Sequence, residues 1–155
     1  VLRLSNVFGP RASIHSPEFT FNNYFVGRAL EDRPITVFGD GTQMRNVIYV
    51  DDVVSAILQV AQRNEAIGQV YFVVSDEHHS VMDIARHTVE VIGKGRVVQV
   101  DWPEQRRKTD VGDAILSNKK LKDLIPGWSC QDSLLSGLEK TRDFYTDKLD
   151  KYLNK

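Results

Sequence analysis

Ile35-Thr36-Val37-Phe38-Gly39-Asp40-Gly41-Thr42 and, two residues on, Arg45-Asn46-Val47-Ile48-Tyr49-Val50-Asp51-Asp52 hold two apolar, β-branched runs around a Gly-Asp-Gly step. Runs of this kind, bounded by turn formers, read as strands. An Asp-Gly pair tolerates positive φ, so 39–42 reads as a tight turn carrying one strand directly into the next. The Asp51-Asp52 pair then caps a helix on which Val53, Val54, Ile57, Leu58 and Ala61 make one apolar stripe.

Toward the N-terminus, Phe21, Tyr24, Phe25, Ala29 and Leu30 recur at helical spacing, and Pro34 ends that element. A loop rich in Gly, Pro, Ser and His precedes it at 9–17, and Val1-Leu2-Arg3-Leu4 before that reads as a short strand. The sequence opens on this strand with no initiator Met and nothing like a signal peptide, which reads as a cut within a longer chain. Toward the C-terminus, the uninterrupted apolar run 70–74 has the pattern of a strand buried on both faces, as in a parallel sheet. Ser80 and Asp83 frame a helix much like a capping box, with Val81, Ile84, Ala85, Thr88 and Ile92 on its buried face. Residues 97–100 read as another strand, 102–113 as a polar ordered loop, and 118–124 as a short helix stopped by Pro126-Gly127. A final helix over about 132–153 turns Leu134, Leu138, Tyr145, Leu149 and Tyr152 to one side. Strands alternating with helices, without an internal repeat, predict an α/β fold.

At 155 residues the chain is long enough to bury a real core as one domain. No apolar run approaches the length of a membrane span. With Lys+Arg 20 against Asp+Glu 21, no global field favours nucleic acid or a membrane surface, so an anion site must be built locally. The lone Cys130 excludes an internal disulfide and suits a reducing cytoplasm.

Four segments resemble, in order and spacing, the second half of the extended short-chain dehydrogenase/reductase family, which includes UDP-glucose 4-epimerases and dTDP-glucose 4,6-dehydratases. They are Arg3-Leu4-Ser5-Asn6-Val7-Phe8-Gly9-Pro10; the Ile35 to Asp52 block; Gly68-Gln69-Val70-Tyr71-Phe72-Val73-Val74 leading to Ser80-Val81; and the run from Arg106 through Asn118-Lys119-Lys120-Leu121 and Gly127-Trp128 to Gly137-Leu138. The resemblance implies the C-terminal part of a Rossmann-type nucleotide-sugar epimerase or dehydratase, with mixed short strands and helices. In these terms 1–155 is the substrate-binding portion, and about 1–8 and 51–76 are the last strands of an otherwise absent Rossmann domain. One departure is Phe72, where many members carry Asn. In the family the N-terminal half holds a glycine-rich NAD loop and a Tyr-x-x-x-Lys pair. Here Gly39-Asp40-Gly41 ends a strand rather than opening a helix, and the five tyrosines are followed four places on by Arg28, Val53, Ser75, Leu149 and the end of the chain. NAD is therefore expected in the parent protein and not in this chain, which by itself is expected to be inactive.

A nucleoside diphosphate calls for Arg forks, because a guanidinium gives parallel charge-assisted bonds. The resemblance makes Arg45 the substrate-diphosphate ligand; read alone, it is equally a surface arginine pairing with Asp40 or Asp51. Arg106 is the second phosphate candidate, with Arg107 and Lys108 a residue or two away, and its alternative is a solvated basic turn. Asn6 matches a family asparagine near the phosphates and sugar, or else shapes the turn before Gly9. Val37 and Phe38 match the segment bordering the nucleobase, although strand aromatics also serve cores. Asn22 and Asn23, on the helix lining that pocket in the family, are further polar contacts. His78-His79, with His15 and His87, lacks the ligand spacing of a zinc set, and Arg106-Arg107-Lys108 is too short for a nucleic-acid footprint.

The sequence thus predicts a nucleotide-sugar-binding half of an NAD-dependent epimerase or dehydratase, cytoplasmic, working with its own N-terminal Rossmann half. A non-catalytic nucleotide-sugar-binding or NAD-sensing relative is the alternative, and a nucleic-acid partner protein a third. The isolated chain is expected to self-associate through exposed strands.

Overall fold

The computed structural model describes residues 1–153. Its strands are β1 (Leu2–Leu4), β2 (Asn6–Phe8), β3 (Pro34–Phe38), β4 (Met44–Tyr49), β5 (Tyr71–Val73), β6 (His78–Ser80) and β7 (Arg96–Val100). Its α-helices are α1 (Phe21–Leu30), α2 (Val50–Ala61), α3 (Val81–Ile92), α4 (Glu104–Arg107), α5 (Lys119–Leu124), α6 (Leu134–Thr146) and α7 (Leu149–Leu153). The strands form three small sheets: β1-β5 parallel, β3-β7 parallel, and β2-β4-β6, in which β2 lies parallel and β6 antiparallel to β4. The α/β prediction holds, and one of the three sheets is mixed.

Two apolar clusters stand behind these sheets. One joins β2, β3 and β4 to α1, α3 and α6 through Phe8, Ile14, Phe25, Val26, Ile35, Val37, Ile84, Leu138 and Tyr145. The other gathers Ile48, Val53, Ala56, Tyr71, Val73, Leu121, Ile125 and Trp128, with Leu2 and Val7 against it. Helix α3 begins as its sequence requires: Ser80 Oγ accepts from the Asp83 amide at 3.0 Å and donates to the Asp83 carboxylate at 2.6 Å. It ends on Gly93 in the left-handed region. Gly27 lets the 9–17 loop lie directly on α1, since a Cβ there would stand 2.0 Å from the Ile14 carbonyl oxygen.

Several expectations need correction. The 39–42 turn carries β3 into β4 as read but does not pair them: β3 pairs with β7, placing Phe38 beside Val100, while β4 pairs with β2 and β6. Turn chemistry marks a reversal but does not select the partner strand. Residues 70–74 are not buried on both faces, because Tyr71 and Val73 point inward while Val70 and Phe72 are exposed. The predicted stripe on α2 is split likewise. Val53 and Ala56 are buried, whereas Val54, Ile57 and Leu58 face outward at 46, 42 and 58% exposure. Asp52 does not cap its own helix; its carboxylate accepts from the Gln131 and Asp132 amides, fixing the segment that leads into α6. The 102–113 loop contains α4, and the final helix is broken at Asp147-Lys148 into α6 and α7. The histidine pair lies in β6. His78 Nε2 accepts from the Leu116 amide at 3.0 Å, and His79 approaches Glu77 at 3.2 Å.

Candidate functional site

β3 and β4 leave the first core in the same region, and the alternation of strand side chains determines what each presents there. Asn46 turns inward, where its amide oxygen accepts from the Ser75 amide and its nitrogen donates to the Ser75 and Glu77 carbonyls at 2.8 and 3.0 Å. Its neighbour Arg45 therefore turns outward, toward α1 and the polar segment after β7. Register does the same for the aromatics: Phe38 beside Val100 brings Trp102, two residues later, against the end of β3. The rings of Phe38 and Trp102 lie 5.5 Å apart, and the Arg106 guanidinium carbon stands 5.3 Å from the Phe38 ring centre. Gly39, at φ +63°, gives the Trp102 indole its place, because a Cβ there would come within 2.3 Å of the indole nitrogen.

These groups enclose a cavity of about 380 Å³ whose walls include Phe21, Tyr24 and Phe25 of α1, Thr36, Val37 and Phe38 of β3, Arg45 of β4, and Trp102 and Arg106. The walls are largely aromatic and aliphatic, with two guanidinium groups, so the cavity suits a planar ring joined to an anion. Arg45 is well anchored. It donates to the Met44 carbonyl at 2.9 Å, to the Gly112 carbonyl, and to the Asp110 carboxylate at 3.0 Å. Its acid partner is thus neither Asp40 nor Asp51. Asp40 turns back on its own loop to accept from the Thr42 amide and hydroxyl, bonds that hold its carboxyl below the usual range.

Of the residues singled out in the sequence, Val37, Phe38, Arg45 and Arg106 meet at this cavity. Asn6 is not among its walls; its side-chain nitrogen donates to the Asn46 carbonyl at 2.9 Å, stitching β2 to β4. Asn23 is a brace, bonded through both side-chain atoms to the Gly9 backbone at 3.1 and 2.7 Å. Asn22 is fully buried and lies outside the cavity walls. Sequence reasoning missed Tyr24, Phe21, Trp102 and Asp110. The α1 aromatics were legible as an apolar face without a sign of which side was lined and which was packed. Trp102 was hidden because the β3-β7 pairing joins positions more than sixty residues apart.

An α/β chain whose short strands pair mainly in parallel under packed helices fits a Rossmann-type plan. Residues 1–74 match the NAD dependent epimerase/dehydratase family, and the matches to individual proteins extend over nearly the whole chain. It is 33% identical over 144 residues to a trifunctional UDP-glucose 4,6-dehydratase/UDP-4-keto-6-deoxy-D-glucose 3,5-epimerase/UDP-4-keto-L-rhamnose-reductase of Arabidopsis thaliana, covering 93% of this chain and 20% of that protein. It is 30% identical over 158 residues to UDP-glucuronic acid decarboxylase 1 of Xenopus tropicalis, covering 99% of this chain and 35% of that protein. Among solved structures, the UDP-glucose 4-epimerase of Thermotoga maritima with UDP-glucose superposes with a TM-score of 0.80 at 32% identity, over 96% of this chain and 46% of that one. The chain thus spans less than half the length of the relatives it matches. Among the described residues, no helix is long and apolar enough to cross a membrane.

Proposed function

We propose that this chain is the nucleotide-sugar-binding half of an NAD-dependent nucleotide-sugar epimerase or 4,6-dehydratase, with about 1–8 and 51–76 completing the Rossmann sheet of the parent protein. The observation that carries the reading is the cavity, where Phe38, Trp102 and Tyr24 supply ring surfaces while Arg45 and Arg106 supply positive charge. In this reading the base lies against Phe38 and the diphosphate against Arg45 and Arg106. The sugar is thereby held in one place and orientation, which is this half's contribution to the rate. The second apolar cluster draws Leu2, Val7, Val53, Ala56, Tyr71 and Val73 of the two Rossmann segments together with Ile48, Leu121, Ile125 and Trp128.

NAD, when bound by the parent protein, supplies the hydride acceptor. The glycine pairs of this chain do not fit that cofactor. Gly39 and Gly41 lie between two strands, with Gly39 covered by Trp102, and Gly93 and Gly95 follow a helix rather than opening one. The proposal therefore assigns NAD to the other half and gives this half the nucleotide sugar.

Calorimetric titration with UDP and with dTDP tests the assignment. The unaltered chain is expected to bind one or both, and Arg45→Ala to lose about 1.5–3 kcal/mol of that affinity. Equal binding by the two forms removes Arg45 from the site, and saturable NAD binding by this chain overturns the division of labour.

A further inference from the structure

Arg45, the candidate phosphate ligand, is already engaged, and its acidic partner sits on the segment that closes the cavity. Residues 102–113 bring Trp102 and Arg106 to the cavity wall, yet beyond the ring contact of Trp102 with Phe38 little apolar packing holds this strap in place, since α4 buries none of its residues. What holds it is a short row of polar links to β4. Asp110 pairs with Arg45 at 3.0 Å, and the Gly112 carbonyl accepts from the same guanidinium. Asp113 accepts from the Met44 amide at 2.8 Å, and the Ala114 amide donates to the Met44 carbonyl at 3.0 Å. The Arg45 and Asp110 side chains are only 15 and 21% exposed, so water screens the pair less than it would at the surface.

We propose that Asp110 is an internal stand-in for the ligand's phosphate: it holds the strap on β4 until a phosphorylated ligand takes Arg45 from it, and so makes the site select for phosphate over the bare nucleoside. This rests on the nucleotide reading above. A carboxylate and a phosphate present the same kind of oxyanion to a guanidinium, but a diphosphate carries more charge and more acceptor oxygens. It wins the exchange; a neutral nucleoside has nothing with which to displace Asp110. Arg106, on the strap itself, stays within reach of the cavity and meets the incoming charge. The alternative role for Asp110 is to orient Arg45 for the ligand, and it predicts the opposite effect of substitution.

The test uses the unaltered chain and Asp110→Asn, with two readings. In calorimetry, Asp110→Asn is expected to tighten UDP binding about fivefold, the release of one partly screened ion pair, while uridine binding stays where it was. In limited tryptic digestion without ligand, cleavage after Arg106, Arg107 or Lys108 is expected to become faster in Asp110→Asn, because the strap has lost its tie. UDP binding that is unchanged or weaker in Asp110→Asn overturns the stand-in role. UDP binding by both chains with unchanged digestion sinks the strap alone. No UDP binding by either chain, with digestion accelerated, sinks the nucleotide reading and with it the role of Asp110 as a phosphate substitute.

Discussion

Tyr145 is fully enclosed, and its hydroxyl donates to the Ala12 carbonyl at 2.6 Å, tying the loop ahead of α1 to α6. Removing the hydroxyl strands that carbonyl, so Tyr145→Phe is expected to cost about 1–3 kcal/mol in urea unfolding at neutral pH. Burial also pushes the Tyr145 hydroxyl up to about 12 from 10.0. The folded state then keeps a proton that the unfolded state releases, so this contribution is full below pH 10.0 and fades as pH rises toward 12. The gap between Tyr145→Phe and the unaltered chain should close over that window; a gap that stays constant contradicts the assignment. Asp76 behaves in the reverse sense. A hydrogen bond from Lys122 at 2.6 Å, and another from Asn118 at 2.9 Å, hold its carboxyl below 3.8. Its contribution is present above 3.8 and is lost as pH falls through the lowered value, so Asp76→Asn should be less stable than the unaltered chain at neutral pH and indistinguishable from it in strong acid. Neither role was legible in the sequence. The meeting of Arg45 and Phe38 at one cavity was, because they belong to a contiguous motif, whereas Tyr145, Asp76, Trp102 and Asp110 owe their places to neighbours from forty to more than a hundred residues away.

Helix α1 shows which of two local effects wins. Gly27 weakens the helix by about 1 kcal/mol relative to Ala, so propensity alone predicts that Gly27→Ala stabilises. Against this, the added methyl meets the Ile14 backbone oxygen at 2.0 Å, an atom that can yield only if the 9–17 loop lifts. Overpacking of that kind costs about 1–3 kcal/mol, and Gly27→Ala is expected to lower stability in thermal unfolding. An increase would show that the loop is not seated on α1. Elements themselves were well marked by periodicity and caps: α1, α3, α5, β3 and β7 fall where the pattern placed them. Pairing was not. Gly39-Asp40-Gly41 carries the signal of a hairpin, but β3 finds its partner in β7, a choice made by packing against α1 and α3 rather than by the turn. The exposed half of α2 had the same origin: a helical stripe of apolar residues states that a face wants cover without stating that this chain supplies it.

On the scale of the whole molecule, Val54, Ile57 and Leu58 of α2 and Phe72 of β5 leave apolar side chains facing outward, with Leu4 on the neighbouring β1. Apolar area of this kind draws partners. For this chain by itself, light scattering is expected to show association that rises with concentration, and Leu58→Lys, a substitution at an outward position, to weaken it. A chain that stays monomeric at high concentration contradicts the idea. Whether the cavity between β3, α1 and the 102–113 strap receives a nucleoside diphosphate is read from the two indole N–H signals in a ¹⁵N–¹H NMR titration with UDP. Trp102 is a wall of the cavity, whereas Trp128 is buried in the second apolar cluster. The Trp102 signal is expected to shift and saturate while that of Trp128 stays in place; saturable binding that leaves Trp102 unmoved, or moves Trp128 instead, puts the ligand elsewhere.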